Sequence, residues 1–355
     1  MTHARRDRAA RLREEIVRAA HAATDVQTLR RRVLPVLRKL IRVDAVWWAL
    51  ADPDTLLFSE PLSDEIPAGA AALFLENELS HHDINKFHLL ARSPEPVATL
   101  YAATQHMPDR SPRFRDILRP NRMGDEMRVA LRDRTQTWGF MCLHREAGAP
   151  SFSRDERTWM RTLAPHLAAA LRHALLVTGA SKSRPSASAP GVLLLGNDGE
   201  RISETPTADE LLSAVPEWTE KGTRALAIQS AVSRLRAIER PAGDELPPPR
   251  VRVATPTGRW LTISASRLPG PNGGSIAVVV EPARAEDLVP LRLAASGLTS
   301  TEVNVAALVM QGLSNKEVAH VLDIAPLTVQ QHLKSIFDKT NTHSRGELFR
   351  HVSSP

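Results

Sequence analysis

Residues 297–351 read GLTSTEVNVAALVMQGLSNKEVAHVLDIAPLTVQQHLKSIFDKTNTHSRGELFRH. Three helix-start signals of one kind sit in this stretch: Thr299 with Glu302, Ser314 with Glu317, and Ser344 with Glu347. Each has the form of a capping box, in which the hydroxyl accepts an orphan N–H of the first turn and the carboxylate reaches back to the cap. Apolar residues follow at helical spacing: Val303, Ala306, Ala307 and Met310, then Val318, Ala319 and Leu322, then Val329, Leu333 and Ile336. Pro326 marks a fourth start, because its fixed φ suits a first helical residue. The pattern predicts four short helices beginning near Ser300, Asn315, Pro326 and Arg345, the first of them ended by Gly312. The second and third are parted only by about residues 323–325. A pair joined so tightly is a helix-turn-helix, whose second helix is able to enter the major groove of DNA. A small helical bundle with no nucleic-acid role would carry the same spacing.

The identity of the residues goes further than the spacing. LTSTE, GLSNKEVAHVL, TVQQHLKSIFDKT and SRGEL, in register over roughly 55 residues, resemble the DNA-binding domain of LuxR-type (GerE-type) transcription regulators. Gln330, Gln331 and Lys334 fall on one face of the third helix, opposite Val329, Leu333 and Ile336. The resemblance implies that these three face base edges of double-stranded DNA, where Gln bonds adenine N6 and N7 and Lys donates to guanine O6 or N7. Asn315, Lys316, Thr328, His332 and Lys339 stand where phosphate contacts fit; Arg345 serves either a phosphate or the last helix. The resemblance also implies that the last helix pairs two copies, a homodimer over half-sites about one helical turn apart. The chain departs from the family pattern at Ala325, where a polar cap is usual, and at Asn341 and Thr342. Asn tolerates left-handed φ, so the fold is expected to survive the change at Asn341.

At 355 residues the chain is too long for one ordinary core and predicts two or three domains. With 42% hydrophobic and 24% charged residues it is not a disordered chain. Cys142 is the single cysteine, so an intrachain disulfide is excluded and a cytoplasmic setting is natural. The Arg-rich N-terminus lacks the apolar segment of a secretory signal, and no apolar run is long enough to span a bilayer. Net charge is +6, but it does not locate the DNA site. Residues 1–42 hold twelve Arg or Lys against four acids, whereas the chain from Leu291 onward holds six against five. The N-terminal arginines alternate with Leu12, Ile16, Val17 and Ala20 at amphipathic spacing, which reads as a solvated helix face rather than a second polyanion contact.

The rest of the chain reads as α+β. Residues 5–40 predict one or two amphipathic helices, with a restart at Asp25; residues 43–50 predict a strand, and Leu56 and Leu57 the start of another. A helix is expected over 68–79, little pattern over 81–112, strands over 127–132 and 137–144, and a long helix to about Val177 opened by the Ser153/Glu156 box. The stretch WGFMCLHREAGAPSFSRDERTWMRTLAPHLAAALRHALL, with RMGDEMRVAL before it, resembles the end of a GAF domain. Residues 178–190 have the Ser, Ala, Gly and Pro content of a flexible linker. After them come an expected strand at 192–195, helices at 208–215 and 221–239, and strands at 250–254, 259–266 and 275–280, a PAS-like order. The expected fold is therefore multidomain: a GAF-like domain (1–177), a linker (178–190), a PAS-like α+β domain (191–285) and an all-α helix-turn-helix domain (286–355).

Trp47, Trp138 and Phe140 stand where they would line a small-molecule pocket, or equally an ordinary sheet core. His81, His82, His88 and Asp83 match no common metal-ligand spacing and read as surface or loop residues, with no metal expected. Cys142 and His144 share one side of a strand, where a structural Cys is a simpler reading than a nucleophile and base. P-loop, GxGxxG and GxSxG patterns are absent, so no cofactor is indicated. The sequence thus points to a non-enzymatic, DNA-binding transcription regulator whose sensor part answers to an unidentified small ligand or partner. The rivals are an enzyme built on Cys142 and His144, or a protein-interaction scaffold, with the helix-turn-helix regulating either.

Overall fold

A computed structural model of the chain describes residues 3–66, 70–133, 136–180, 189–215, 218, 225–240 and 246–353. The chain falls into two compact units, one ending at Pro282 and the other beginning at Ala283. The core of the expected linker, residues 181–188, and the start of the helix expected from Lys221 lie outside the described residues.

The first unit opens with α1 (His3–His21) and α2 (Val26–Leu40). The restart is at Asp25, whose Oδ1 accepts the Thr28 N–H at 2.7 Å. Ile16 and Ala20 are fully buried while Arg6, Arg8, Arg11 and Arg18 are exposed, so α1 is amphipathic as its spacing requires. Arg30 differs from the other N-terminal arginines: it is buried, donates to the Trp48 carbonyl and pairs with Glu60 at 3.4 Å. The first sheet holds β1 (Ala45–Ala51), β2 (Phe58–Asp64), β3 (Val97–Thr99), β4 (Met123–Arg132) and β5 (Thr137–Glu146), antiparallel throughout in the order β2-β1-β5-β4-β3. On one face lies α6 (Arg154–Ala180), begun by the expected box: the Ser153 N–H donates to Glu156 Oε2 at 2.8 Å and the Glu156 N–H to Ser153 Oγ at 3.3 Å. Gly139 makes the close approach possible, since a Cβ there would meet Ala49 O at 2.7 Å and Leu171 of α6 at 2.9 Å. The other face, carrying Trp47 and Phe140, is covered by α3 (Ala70–Ser80) and α4 (Phe87–Arg92). The weakly patterned stretch 81–112 contains α4, β3 and the one-turn α5 (Leu100–Ala103).

A second sheet follows: β6 (Gly191–Leu195), β7 (Arg201–Glu204), β8 (Arg250–Ala254), β9 (Trp260–Leu268) and β10 (Ser275–Pro282), in the order β7-β6-β10-β9-β8. Numbered within its own segment, each sheet has the strand order 2-1-5-4-3. Between β7 and β8 run α7 (Pro206–Leu212) and α8 (Leu226–Ile238). α8 packs on β9 and also meets α3 and β2 of the first sheet. Leu57 is buried in the core of the second sheet, and Leu226 in the aromatic core of the first. Arg252 on β8 adds a polar lock. Its backbone N–H and Nε each donate to Asp52 Oδ2 at 2.9 Å, its Nη2 to Asp52 Oδ1 at 2.7 Å and to Asp54 at 2.6 Å.

The second unit is all helix: α9 (Ala285–Ala295), α10 (Ser300–Met310), α11 (Asn315–Leu322), α12 (Pro326–Thr340) and α13 (Arg345–Ser353). The last four start at the residues the caps and Pro326 indicate; α9 was not evident in the sequence. Leu288, Leu291 and Leu293 of α9 are buried, and Arg292 Nη1 donates to the Val352 carbonyl at 2.8 Å, fastening α9 to α13. Among the described residues no helix is long and apolar enough to cross a membrane.

Candidate nucleic-acid interface and sensor core

In the second unit α11 and α12 are joined through Asp323, whose φ of 51° puts it in the left-handed region and turns the chain sharply. Asn341 ends α12 in the same conformation at φ 52°, which is why Asn serves where the family pattern has Gly. Capping boxes close α10 and α11: the Thr299 N–H donates to Glu302 Oε2 and the Ser314 N–H to Glu317 Oε2, each at 2.7 Å. At α13 the box is displaced, for Glu347 accepts from the His343 N–H at 2.7 Å while its own N–H donates to Ser344 Oγ.

Val329, Leu333 and Ile336 are buried, and Gln330, Gln331 and Lys334 are exposed on α12, so the structure separates the two sets as the period predicts. Lys316 is exposed, and Asn315, Thr328 and His332 are half-buried. Two cationic side chains are occupied within the unit. Lys339 Nζ sits on Glu302, 2.9 Å and 2.6 Å from its two oxygens. Arg345 donates to the Leu313 carbonyl and to Asn315 Oδ1, tying α13 to the start of α11. Burial raises the Glu302 carboxyl, but hydrogen bonds from Lys339, Ser335 and Thr299 outweigh it and hold it down at about 2. Ala325 provides no side-chain cap to α12; the Thr328 N–H turns instead to the Ala325 carbonyl at 2.9 Å. A compact helical unit with this turn and this exposed second helix has the form of a helix-turn-helix.

In the first unit the expected pocket residues are packed. Trp47, Phe58, Phe87 and Phe140 lie ring against ring, Phe87 to Phe140 at 4.5 Å and Trp47 to Phe87 at 5.9 Å. Trp138 is fully buried outside that cluster. The cavity beside Trp47 is about 50 Å³, room for one or two waters rather than for an organic ligand. Cys142 and His144 do face the same way, and with Glu126 their donor atoms come within 4.8 Å of one another. All three are buried. Arg113 Nη2 lies 2.7 Å from Glu126, and Arg128 Nε 3.7 Å, so two guanidiniums already supply the positive charge an ion would bring. Burial pushes the Cys142 thiol far up and pulls His144 down to about 4, the reverse of what a thiolate–imidazolium pair requires. Arg128 continues the network to Glu78 at 2.8 Å, and Arg113 to Asp83. Of residues 81–83 and 88, Asp83 is used up by Ser111, Asn77 and the Arg113 N–H.

Two segments of the chain match known family models. Residues 296–352 match the family model of the bacterial regulatory proteins of the luxR family, and residues 25–171 match that of the GAF domain. The C-terminal segment is 36% identical over 59 residues to the HTH-type transcriptional regulator MalT of Vibrio cholerae, 17% of this chain and 6% of that one. It is 41% identical over 58 residues to the monoamine regulon transcriptional regulator of Klebsiella aerogenes, 16% of this chain and 26% of that one. Against the nitrate/nitrite response regulator protein NarP of Escherichia coli the figure is 44% over 50 residues, 14% of this chain and 23% of that one. The chain thus spans about a quarter or less of the length of these relatives. Among solved structures, the GAF domain of an Acinetobacter phosphoenolpyruvate-protein phosphotransferase gives a TM-score of 0.33 at 15% identity, covering 50% of this chain and 98% of that one.

Proposed function

We propose that the chain is a sequence-specific, DNA-binding transcription regulator that works as a homodimer in the cytoplasm, and that its first unit is the sensor. The observation that carries the reading is the exposed row Gln330, Gln331 and Lys334 on the second helix of a helix-turn-helix that matches the luxR-family model. These side chains would read base edges, while Lys316, Thr328, His332 and the amide of Asn315 would hold phosphates. Lys339 is assigned to Glu302 rather than to DNA, because moving its ammonium to a phosphate would leave a buried carboxylate without its cation. The strand order 2-1-5-4-3 of the second sheet, with two helices between its second and third strands, supports the PAS-like reading of residues 191–285. A non-enzymatic role is supported by the complete burial of Cys142 and its raised thiol. Selection from a random DNA pool with the full chain is the test. The expected result is an enriched motif with two symmetric half-sites about one helical turn apart. A pool that remains random, with binding abolished by moderate salt, would sink sequence-specific recognition.

A further inference from the structure

A cavity of about 450 Å³ opens in the first unit where α3, α4 and the start of β2 meet α8. None of Trp47, Trp138 and Phe140 lines it, although Phe58 and Phe87 of the aromatic cluster do, and its lining is of two kinds. One is apolar, formed by Leu56, Phe58, Leu79, Phe87, Leu89 and Pro247. The other is basic, with Arg92 from the end of α4, Arg234 from α8, and Arg240.

The two carboxylates that also line the cavity are both engaged elsewhere. Glu78 gives one oxygen to Arg128 at 2.8 Å and the other to the Phe87 N–H at 2.7 Å. Asp83 accepts from Ser111 and from the Arg113 N–H, each at 2.7 Å. Two of the lining cations are likewise committed: Lys86 Nζ donates to the carbonyls of Asn77 and His81, and Arg240 Nη1 to the Ser80 carbonyl at 2.6 Å. Arg234 is different. It is 5% exposed, and among the described residues it donates only to the Pro247 carbonyl, at 3.4 Å, and its Nε has no partner. No carboxylate among the described residues pairs with it. Burial, and then the neighbouring charge of Arg92, pull its guanidinium down to about 10.

Among the described residues Arg234 is a buried cation that no carboxylate pairs directly, Glu78 acting on it only at longer range, and such a group is suited to taking an anion. We propose that this cavity binds a small organic monocarboxylate, its oxyanion on Arg234 and Arg92 and its apolar body against Leu79, Phe87 and Leu89. The planar guanidinium fork matches a carboxylate through two parallel N–H···O bonds, and desolvation strengthens each of them. A volume of about 450 Å³ is within the usual range for organic ligands. A phosphate monoester offers the same oxyanion, but its second negative charge would need a further cation, and Lys86 and Arg240 already donate to backbone carbonyls. Because α3 and α4 belong to the first sheet's segment and α8 to the second, an occupant would bridge the two. The regulatory consequence rests on the sensor reading above; the binding itself does not.

The test is titration of the full chain with octanoate, followed by calorimetry and thermal melting without DNA. Octanamide serves as the uncharged control and inorganic phosphate as the headgroup alone. Octanoate is expected to bind and raise the melting midpoint, with octanamide and phosphate each giving little. Arg234→Met, which keeps the length and removes the charge, should leave the ligand-free midpoint equal or higher and weaken octanoate at least tenfold. Arg92→Ala, at an exposed position that does not endanger folding, should weaken octanoate severalfold. Equal binding of octanoate and octanamide, a full response to phosphate alone, or unchanged octanoate affinity in Arg92→Ala would each overturn the proposal. So would an Arg234→Met protein that melts lower while binding octanoate as before. Octanoate binding that leaves affinity for the selected DNA unchanged would uphold the site and overturn the sensor reading instead.

Discussion

At the scale of single residues the second unit shows how closely reading and folding surfaces abut. Lys334 and Lys339 are five residues apart on one helix, yet Lys334 is exposed with no internal partner among the described residues and Lys339 closes an ion pair with Glu302. Lys334→Ala is expected to relax preference at one base pair per half-site and cost about 1–3 kcal/mol. Lys316→Ala should weaken all sequences alike and make the salt slope shallower by about one unit. Binding titrations on the selected site and on point variants of it distinguish the two; uniform losses in both would show that the face assignment is wrong. Glu302 yields a pH prediction. Its folded carboxyl sits at about 2 against an ordinary 4.5, so the stability it supplies is complete above about pH 4.5 and is lost as pH falls toward 2. Glu302→Gln should cost about 1–3 kcal/mol at neutral pH, where it weakens the charge-assisted bonds from Lys339 and Ser335, and should flatten the acid decline in that window. Parallel melting curves of mutant and wild type from neutral pH to pH 2.5 would contradict this. At Ala325 the backbone has partly replaced the missing cap through the Thr328 N–H, which leaves the Leu327 N–H as the donor with no partner among the described residues. Ala325→Ser should therefore raise the midpoint of the free protein by up to the ~1 kcal/mol of an N-cap, and that of the DNA complex by less if a phosphate occupies the same donor. Equal shifts in both forms would remove the phosphate from that position.

At the scale of elements, legibility followed the origin of each element's stability. Helices α10 to α13 carry their own start and stop signals, so their first residues could be read directly from Thr299, Ser314, Pro326 and Ser344. The face of α12 was legible for the same reason, since helical period alone separates Gln330 and Lys334 from Val329 and Leu333. Helix α9 was not, because Pro290 interrupts it and its anchor, the Val352 carbonyl, lies 60 residues away. The same holds for Lys339, whose partner Glu302 is 37 residues distant. Strand β7 has four residues, none of them buried, and so no alternation to detect. The stretch 81–112 failed for a different reason: it folds around the buried charges of Glu78, Lys86, Arg113, Glu126 and Arg128, and a hydrophobic pattern cannot report a polar core. Asp52 illustrates the point and is open to test. It opens the turn at 53–55 and is buried under Arg252, whose guanidinium overcomes the effect of burial and keeps the carboxyl below its ordinary range. Asp52→Asn should cost up to about 3–5 kcal/mol in denaturant unfolding, because it removes the buried carboxylate of the pair. Arg252→Met in the same background should recover part of that loss. A loss below about 1 kcal/mol for Asp52→Asn would mean that Asp54 alone satisfies Arg252.

At the scale of the whole molecule, composition marks a boundary near residues 178–190 that packing does not respect. The GAF-like and PAS-like segments are proposed as separate domains by pattern, and each has its own five-stranded sheet. Yet Leu57, from the first segment, is fully buried in the second core, and Leu226, from the second, is buried among the aromatics of the first. A fragment ending near residue 180 would expose the pocket that holds Leu226 and strip Asp52 of Arg252. Each buried leucine contributes about 1.5–3 kcal/mol, and breaking the ion pair costs about 3–5 kcal/mol, which together rival the total stability of an ordinary domain. Residues 1–282 should accordingly be monodisperse and melt in one transition. Residues 1–180 should bind a hydrophobic dye, melt lower and aggregate. Neither fragment should bind DNA at physiological salt, because the arginines of α1 are the solvated side of a helix whose other side is core. Equal midpoints for the two fragments would show that the shared leucines and the Asp52–Arg252 lock are only contacts between independently stable domains. A bridging ligand could then not couple them through that seam, since a population shift needs an occupant that distinguishes two packed states rather than one that joins two indifferent bodies.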